Sequence, residues 1–166
     1  TGVGFIAQGW TVEDRCGLAQ HYIVSDLAAG PAYSDLFAGL QSGDSIGAFQ
    51  SAGLGYGAAG DEIDRVDTKQ GSPVQTKILA TANGFEKEYR PAIETQTQID
   101  NRSLDLDEEL IRADLAWIDL PSGGAVFSTG SINWISSLCH NECENSVSAI
   151  TLNAIKRITR PKIDFA

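Results

Sequence analysis

Residues 113–120 carry apolar side chains on both faces of one extended run. Pro121-Ser122-Gly123-Gly124 follows at once, and then the shorter run Ala125-Val126-Phe127-Ser128-Thr129. Proline and paired glycines are turn residues, so the two runs predict a β-hairpin with antiparallel strands. A helix is predicted beyond it, over residues 145–158. Val147, Ile150, Ala154 and Ile158 recur on one face, Lys156 and Arg157 sit at the negative end of the dipole, and Pro161 follows as a stop. Further strands are predicted over 3–8 and over 76–81, the second with Asn83-Gly84 as its turn. Leu36, Phe37 and Leu40 share a face of a short helix over 33–40. Strands alternating with one well-formed helix indicate an α/β fold, a layered sandwich whose sheet is mixed because the final hairpin is antiparallel.

The remaining segments are of two kinds. Residues 11–34, interrupted by Gly17, Gly30 and Pro31, are expected to be a surface excursion. Residues 86–109, polar and ending in Asp105-Leu106-Asp107-Glu108-Glu109, are expected to be a second one. Between Gly43 and Gly60, glycines at 47, 53, 55 and 57 as well predict an irregular path through conformations open mainly to glycine. The chain opens on the apolar run Val3-Gly4-Phe5-Ile6-Ala7 and contains no methionine, which reads as one α/β segment, 1–166, of a longer chain.

Composition narrows the function classes. An apolar content of 42% suits a folded domain rather than a disordered tail. No apolar run reaches the roughly 18–20 residues of a membrane-spanning helix. A net charge of −10 repels phosphate backbones and anionic lipid, so neither nucleic acid nor a membrane surface is expected as a partner. Three cysteines, Cys16, Cys139 and Cys143, are too few and of the wrong parity for a disulfide scaffold. Reduced thiols in a cytoplasmic protein are the simpler expectation.

Four motifs carry possible chemistry. Gly55-Tyr56-Gly57-Ala58-Ala59-Gly60 matches the dinucleotide fingerprint in form, but it runs into Asp61-Glu62-Ile63-Asp64-Arg65, whose carboxylates repel a pyrophosphate. That acidic cluster is either a solvated turn, with Asp61 as a cap and Arg65 paired to Asp64, or a carboxylate held in a pocket where burial raises its pKa for acid–base work. Cys139-His140-Asn141-Glu142-Cys143 lacks the second ligand pair of a zinc site, and its thiols have the spacing of two buried small residues. Ser128-Thr129-Gly130-Ser131, with His140 downstream, lacks the elbow of a serine hydrolase and reads equally as a strand-end turn.

Taken together, these strings resemble the C-terminal region of the N,N-dimethylformamidase large (beta) subunit family. The resemblance rests on Gly57-Ala58-Ala59-Gly60-Asp61-Glu62-Ile63-Asp64-Arg65-Val66-Asp67 and on Gly123-Gly124-Ala125-Val126-Phe127-Ser128-Thr129-Gly130-Ser131-Ile132-Asn133-Trp134. It continues through Ser137-Leu138-Cys139-His140 and Asn145-Ser146-Val147-Ser148-Ala149-Ile150-Thr151. It implies the C-terminal part of a class I glutamine amidotransferase-like, flavodoxin-like domain. The implied activity is hydrolysis of a small N-substituted amide to carboxylate and amine. An iron held by tyrosine and glutamate side chains is implied for the complete enzyme, with ligands outside this segment and no metal bound by the segment itself. The implied partners are the remainder of the large subunit, a small subunit and the amide substrate. On this resemblance Glu62 is the general base that takes a proton from the attacking water, while His140, Asn145 and Ser128 are candidates for the substrate pocket. His140 and Asn145 fit structural roles equally well, Asn145 as a helix N-cap. The alternative from another class is a non-catalytic α/β module for interaction or ligand binding within a larger protein.

Overall fold

A computed structural model describes residues 2–9, 19–51, 55–85, 89–91 and 110–160. Along these residues the elements run β1 (Gly4–Gly9), β2 (Tyr22–Val24), α1 (Asp26–Ala29), α2 (Ser34–Phe37), β3 (Ser45–Ile46), β4 (Gln50–Ser51), β5 (Gly55–Tyr56) and β6 (Glu62–Arg65). After them come β7 (Lys77–Ala82), β8 (Tyr89–Pro91), β9 (Ala113–Asp119), β10 (Ala125–Ser128), α3 (Asn133–Ser137) and α4 (Ser146–Thr159). A five-stranded sheet has the order β10-β9-β7-β2-β3, a three-stranded sheet the order β6-β1-β8, and β4 pairs with β5. The fold is α/β, but every strand pair among the described residues is antiparallel, so the parallel component of the expected mixed sheet is not found there.

The hairpin forms as predicted, with Ala125 opposite Asp119 and Ser128 opposite Ala116. The apolar character of β9 on both faces is explained by what covers it, since Ala113 through Ile118 are all buried. On one face Trp117 meets the ring of Tyr33 at 6.4 Å and the guanidinium of Arg157 at 5.2 Å, which places the helices there. On the other, Ile118 lies against Gly2, and Asp114 accepts the amide of Val66 just beyond β6. The five-stranded sheet is therefore sandwiched between helices and the three-stranded sheet. Each large apolar side chain so buried stabilises the fold by roughly 1.5–3 kcal/mol.

Helix α4 also follows its prediction. Asn145 is its N-cap, accepting from Ser148 N at 3.0 Å, and Val147, Ile150 and Ala154 form its buried stripe. Ile158 belongs to that stripe by spacing but remains exposed, on the rim of the cleft it shares with Trp117 and Leu120.

Two expectations need correction. Residues 19–34 are not a surface excursion: β2 lies inside the five-stranded sheet, and Tyr22, Val24, Ala28 and Tyr33 are buried (residues 11–18 fall outside the described ones). Asn83-Gly84 does not close a hairpin, because β8 joins β1 in the other sheet rather than returning along β7. The predicted excursion at 86–109 lies outside the described residues except at 89–91, which form β8.

Candidate functional site

Residues 57–61 leave β5 and run between two neighbours to reach β6. On one side Gln20 and Ala59 exchange backbone hydrogen bonds, Gln20 N donating at 2.6 Å and Ala59 N at 2.8 Å. Gly57 sits at φ +98°, and a Cβ there would stand 2.2 Å from the carbonyl oxygen of Gln20, so only glycine fits that approach. On the other side the Ser131 hydroxyl accepts from Gly60 N at 2.7 Å and Asn133 N at 3.1 Å and donates to Gly60 O at 2.8 Å. Asn133, fully buried, donates from Nδ2 to Gly57 O at 2.6 Å. Asp64 N donates to Gly130 O, and Ile132 N to Glu62 O. The strings 57–67 and 123–134 are thus bound into one unit: the second supplies the frame on which the first presents its carboxylates.

Those carboxylates are sorted by strand alternation, since successive side chains point to opposite faces. Ile63 and Arg65 turn into the protein; Glu62 and Asp64 share the opposite face. Glu62 is exposed, and among the described residues neither it nor Asp64 pairs with a cation. The expected pair of Arg65 with Asp64 does not form, because neighbours along a strand face apart. Arg65 instead pairs with Asp67 at 2.7 Å, two residues on, and donates to Leu110 O. Burial, required of Glu62 for a raised pKa, falls on Asp64, whose carboxyl is pushed up by desolvation first and by the charge of Glu62 second. The described clefts of about 260 Å³ beside Arg65 and about 340 Å³ beside Trp117 do not include Glu62.

Asp61 occupies the left-handed region at φ +62° and donates its amide to the hydroxyl of Tyr89 at 3.0 Å. Tyr89 is buried, and desolvation holds its phenol well above the ordinary tyrosine range.

The pocket candidates lie on the same frame. Ser128 ends β10, two residues before Gly130. His140 is half-buried and stacks on Phe49 with ring centroids 3.9 Å apart; the Phe49 carbonyl in turn receives the amide of Gly57. Asn145 spends its side chain on structure, capping α4 and donating to Leu138 O at 3.1 Å and His140 O at 2.7 Å. The described contacts of His140 and Asn145 do not include Glu62. The sequence offers Asp64 as the partner of Arg65 and Ser131 as part of a strand-end turn, while Tyr89 and Asn133 carry no site signal of that kind. The available signal for Asn133 is a polar side chain set between Ile132 and Trp134-Ile135, which must find partners if it is buried.

Among the described residues no helix is long and apolar enough to cross a membrane, and no three His, Cys, Asp or Glu side chains gather as a metal site. The chain is 32% identical over 108 residues to the N,N-dimethylformamidase beta subunit of Paracoccus aminophilus, and equally to that of an Alcaligenes species. In each case the match covers 64% of this chain but 14% of the relative's length. Residues 1–145 match the family described as N,N-dimethylformamidase beta subunit-like, C-terminal, which takes in the glycine loop, both carboxylates of β6 and the Ser131–Asn133 frame. The chain belongs to that family.

Proposed function

We propose that this chain is the C-terminal segment of a hydrolase of small N-substituted amides, and that β6 lends its carboxylates to a centre completed elsewhere in the enzyme. What carries the reading is the face shared by Glu62 and Asp64: one carboxylate exposed and without a cation, the other pushed up by burial. Environments that set two neighbouring carboxyls apart suit one to accept a proton and the other to return one. Glu62 takes a proton from water as its oxygen attacks the amide carbonyl. Asp64 returns a proton to the departing amine, leaving carboxylate and free amine.

The described residues do not fit the tyrosine–glutamate iron site that the family resemblance implies. Tyr22 donates to Thr129 O at 2.6 Å, Tyr89 receives the Asp61 amide, Tyr33 is buried against Trp117, and the exposed Tyr56 has the ring of His21 edge-on at 6.4 Å, with no described carboxylate pair gathered beside it. The iron ligands, the rest of the large subunit and a small subunit are proposed to lie outside these residues. The antiparallel layers would then append to a glutamine amidotransferase-like domain whose parallel strands are elsewhere. Free thiols at Cys139 and Cys143 suit a cytoplasmic setting.

The test is Glu62→Gln in the complete enzyme with dimethylformamide as substrate. Loss of the base lowers turnover roughly 10²–10⁴-fold, with melting temperature unchanged because the side chain is exposed. Near-normal turnover would reduce this segment to a wall of the active site.

A further inference from the structure

The Asn83-Gly84 pair, which closes no hairpin, follows directly on the last residue of β7 and is exposed at both positions. Asn83 differs from the other described asparagines in how its carboxamide is used. Asn133 donates from Nδ2 to Gly57 O, Asn141 to Glu144 O, Asn145 to His140 O and Asn153 to Leu36 O. The carboxamide of Asn83 has no hydrogen-bond partner among the described residues, and neither has the amide nitrogen of Gly84. Gly84 holds left-handed backbone at φ +75°, and nothing lies within 4 Å of where a Cβ would stand, so the approach to its nitrogen is not screened. An electrophilic carboxamide carbon and a backbone nitrogen are thus adjacent, unengaged and open to water.

We propose that Asn83 is a deamidation site, converting through a cyclic imide to isoaspartate and aspartate. Asparagine is among the chemically labile side chains, and here the fold adds no protection. Gly84 N, losing its proton to a base in solution, attacks Asn83 Cγ, and the carboxamide nitrogen takes up a proton and leaves as ammonia. Water then opens the ring. Breaking the new bond between Cγ and Gly84 N gives aspartate; breaking the original main-chain bond gives isoaspartate, with the backbone rerouted through Cγ. Water is consumed and ammonia released in equal amounts, and nothing is oxidised or reduced. Either product adds a carboxylate where the chain had a neutral amide. The Gly84 carbonyl accepts Gln20 Nε2 at 3.0 Å, so the change falls where the exit of β7 is tied to the residue that braces the glycine loop. Asn145-Ser146 is the internal comparison: Asn145 Oδ1 caps α4 by accepting Ser148 N at 3.0 Å, and that cap must break before its carboxamide can be attacked. The proposal does not rest on the amide hydrolase reading.

The experiment incubates the folded full-length protein in mildly alkaline buffer, digests it, and weighs the peptides carrying Asn83 and Asn145. The Asn83 peptide is expected to gain the mass difference between a carboxyl and a carboxamide and to accept a methyl group from an isoaspartate-specific methyltransferase. The Asn145 peptide is expected to stay unchanged. A synthetic peptide of residues 80–87 gives the rate without a fold, which the folded protein should approach. Asn83→Gln should abolish the product, because its imide is a larger ring that closes far more slowly. The position is exposed, so glutamine leaves the fold intact, which circular dichroism verifies. Asn83 intact over the time in which the synthetic peptide converts, Asn83 converting no faster than Asn145, or the same mass gain in Asn83→Gln overturns the proposal.

Discussion

Gly57 and Gly71 hold nearly the same backbone angle, φ +98° and +99°, in different surroundings. A methyl group at Gly57 would stand 2.2 Å from the Gln20 oxygen and 2.5 Å from its carbonyl carbon; at Gly71 it would meet nothing within 4 Å. Alanine at either site forces an L residue into left-handed backbone, at about 1–2 kcal/mol. At Gly57 the obstacle is main chain, so it cannot rotate away, and Gln20 is held by its two hydrogen bonds to Ala59. Opening both costs about 2 kcal/mol more, at roughly 1 kcal/mol each. Gly57→Ala is therefore expected to cost about 3–4 kcal/mol and Gly71→Ala about 1–2 kcal/mol. For a chain of 166 residues that difference separates the melting temperatures by about 4–8 °C. Urea unfolding followed by tryptophan fluorescence, with thermal melts alongside, measures it. Equal losses in the two variants would refute the close-approach argument and leave backbone strain as the whole cost.

Ser131→Ala strands Gly60 N, Gly60 O and Asn133 N, all in buried residues, and should cost about 3 kcal/mol, whereas Thr129→Ala, losing one 3.4 Å bond, should cost under about 1 kcal/mol. Asp64→Asn addresses pH. A carboxyl raised in the folded state binds its proton more tightly there than when unfolded, so stability falls as pH rises from the ordinary aspartate value through the raised one. Asparagine does not titrate, so the stability of the variant relative to the parent should rise as pH climbs through the titration of Asp64; melts that stay parallel across that range would contradict this.

The hairpin at 113–128 and helix α4 were legible because their signals are local: turn chemistry in one case, a 3.6-residue stripe with cap and stop in the other. Strand β2 was not, since Tyr22–Val24 is too short to show a period. Its burial comes from pairing with β3 and with β7, more than fifty residues away. The same limit governed the site. Glu62, Asp64 and Arg65 were visible as residues, but read as a turn they gave the wrong ion pair. Once β6 is a strand, alternation alone sends Arg65 away from Asp64 and towards Asp67. The partners of Gly57 and Gly60 lie more than seventy residues downstream at Asn133 and Ser131, beyond the reach of any local pattern.

Asp114 has no exposed surface, yet its carboxylate takes the Val66 amide at 2.9 Å, the Thr81 hydroxyl at 2.9 Å and the Arg112 guanidinium at 3.1 Å. One of these partners follows β6 in the three-stranded sheet; another is in β7 of the five-stranded sheet. Sliding one sheet off the other would leave that anion buried without its donors, a far greater penalty than parting two apolar surfaces. Partial opening along the boundary between the sheets is thus closed off as a low-energy fluctuation. In hydrogen-exchange terms, the Val66 amide and those of β7 and β9 belong to one cooperative unit, protected together until the whole layer opens.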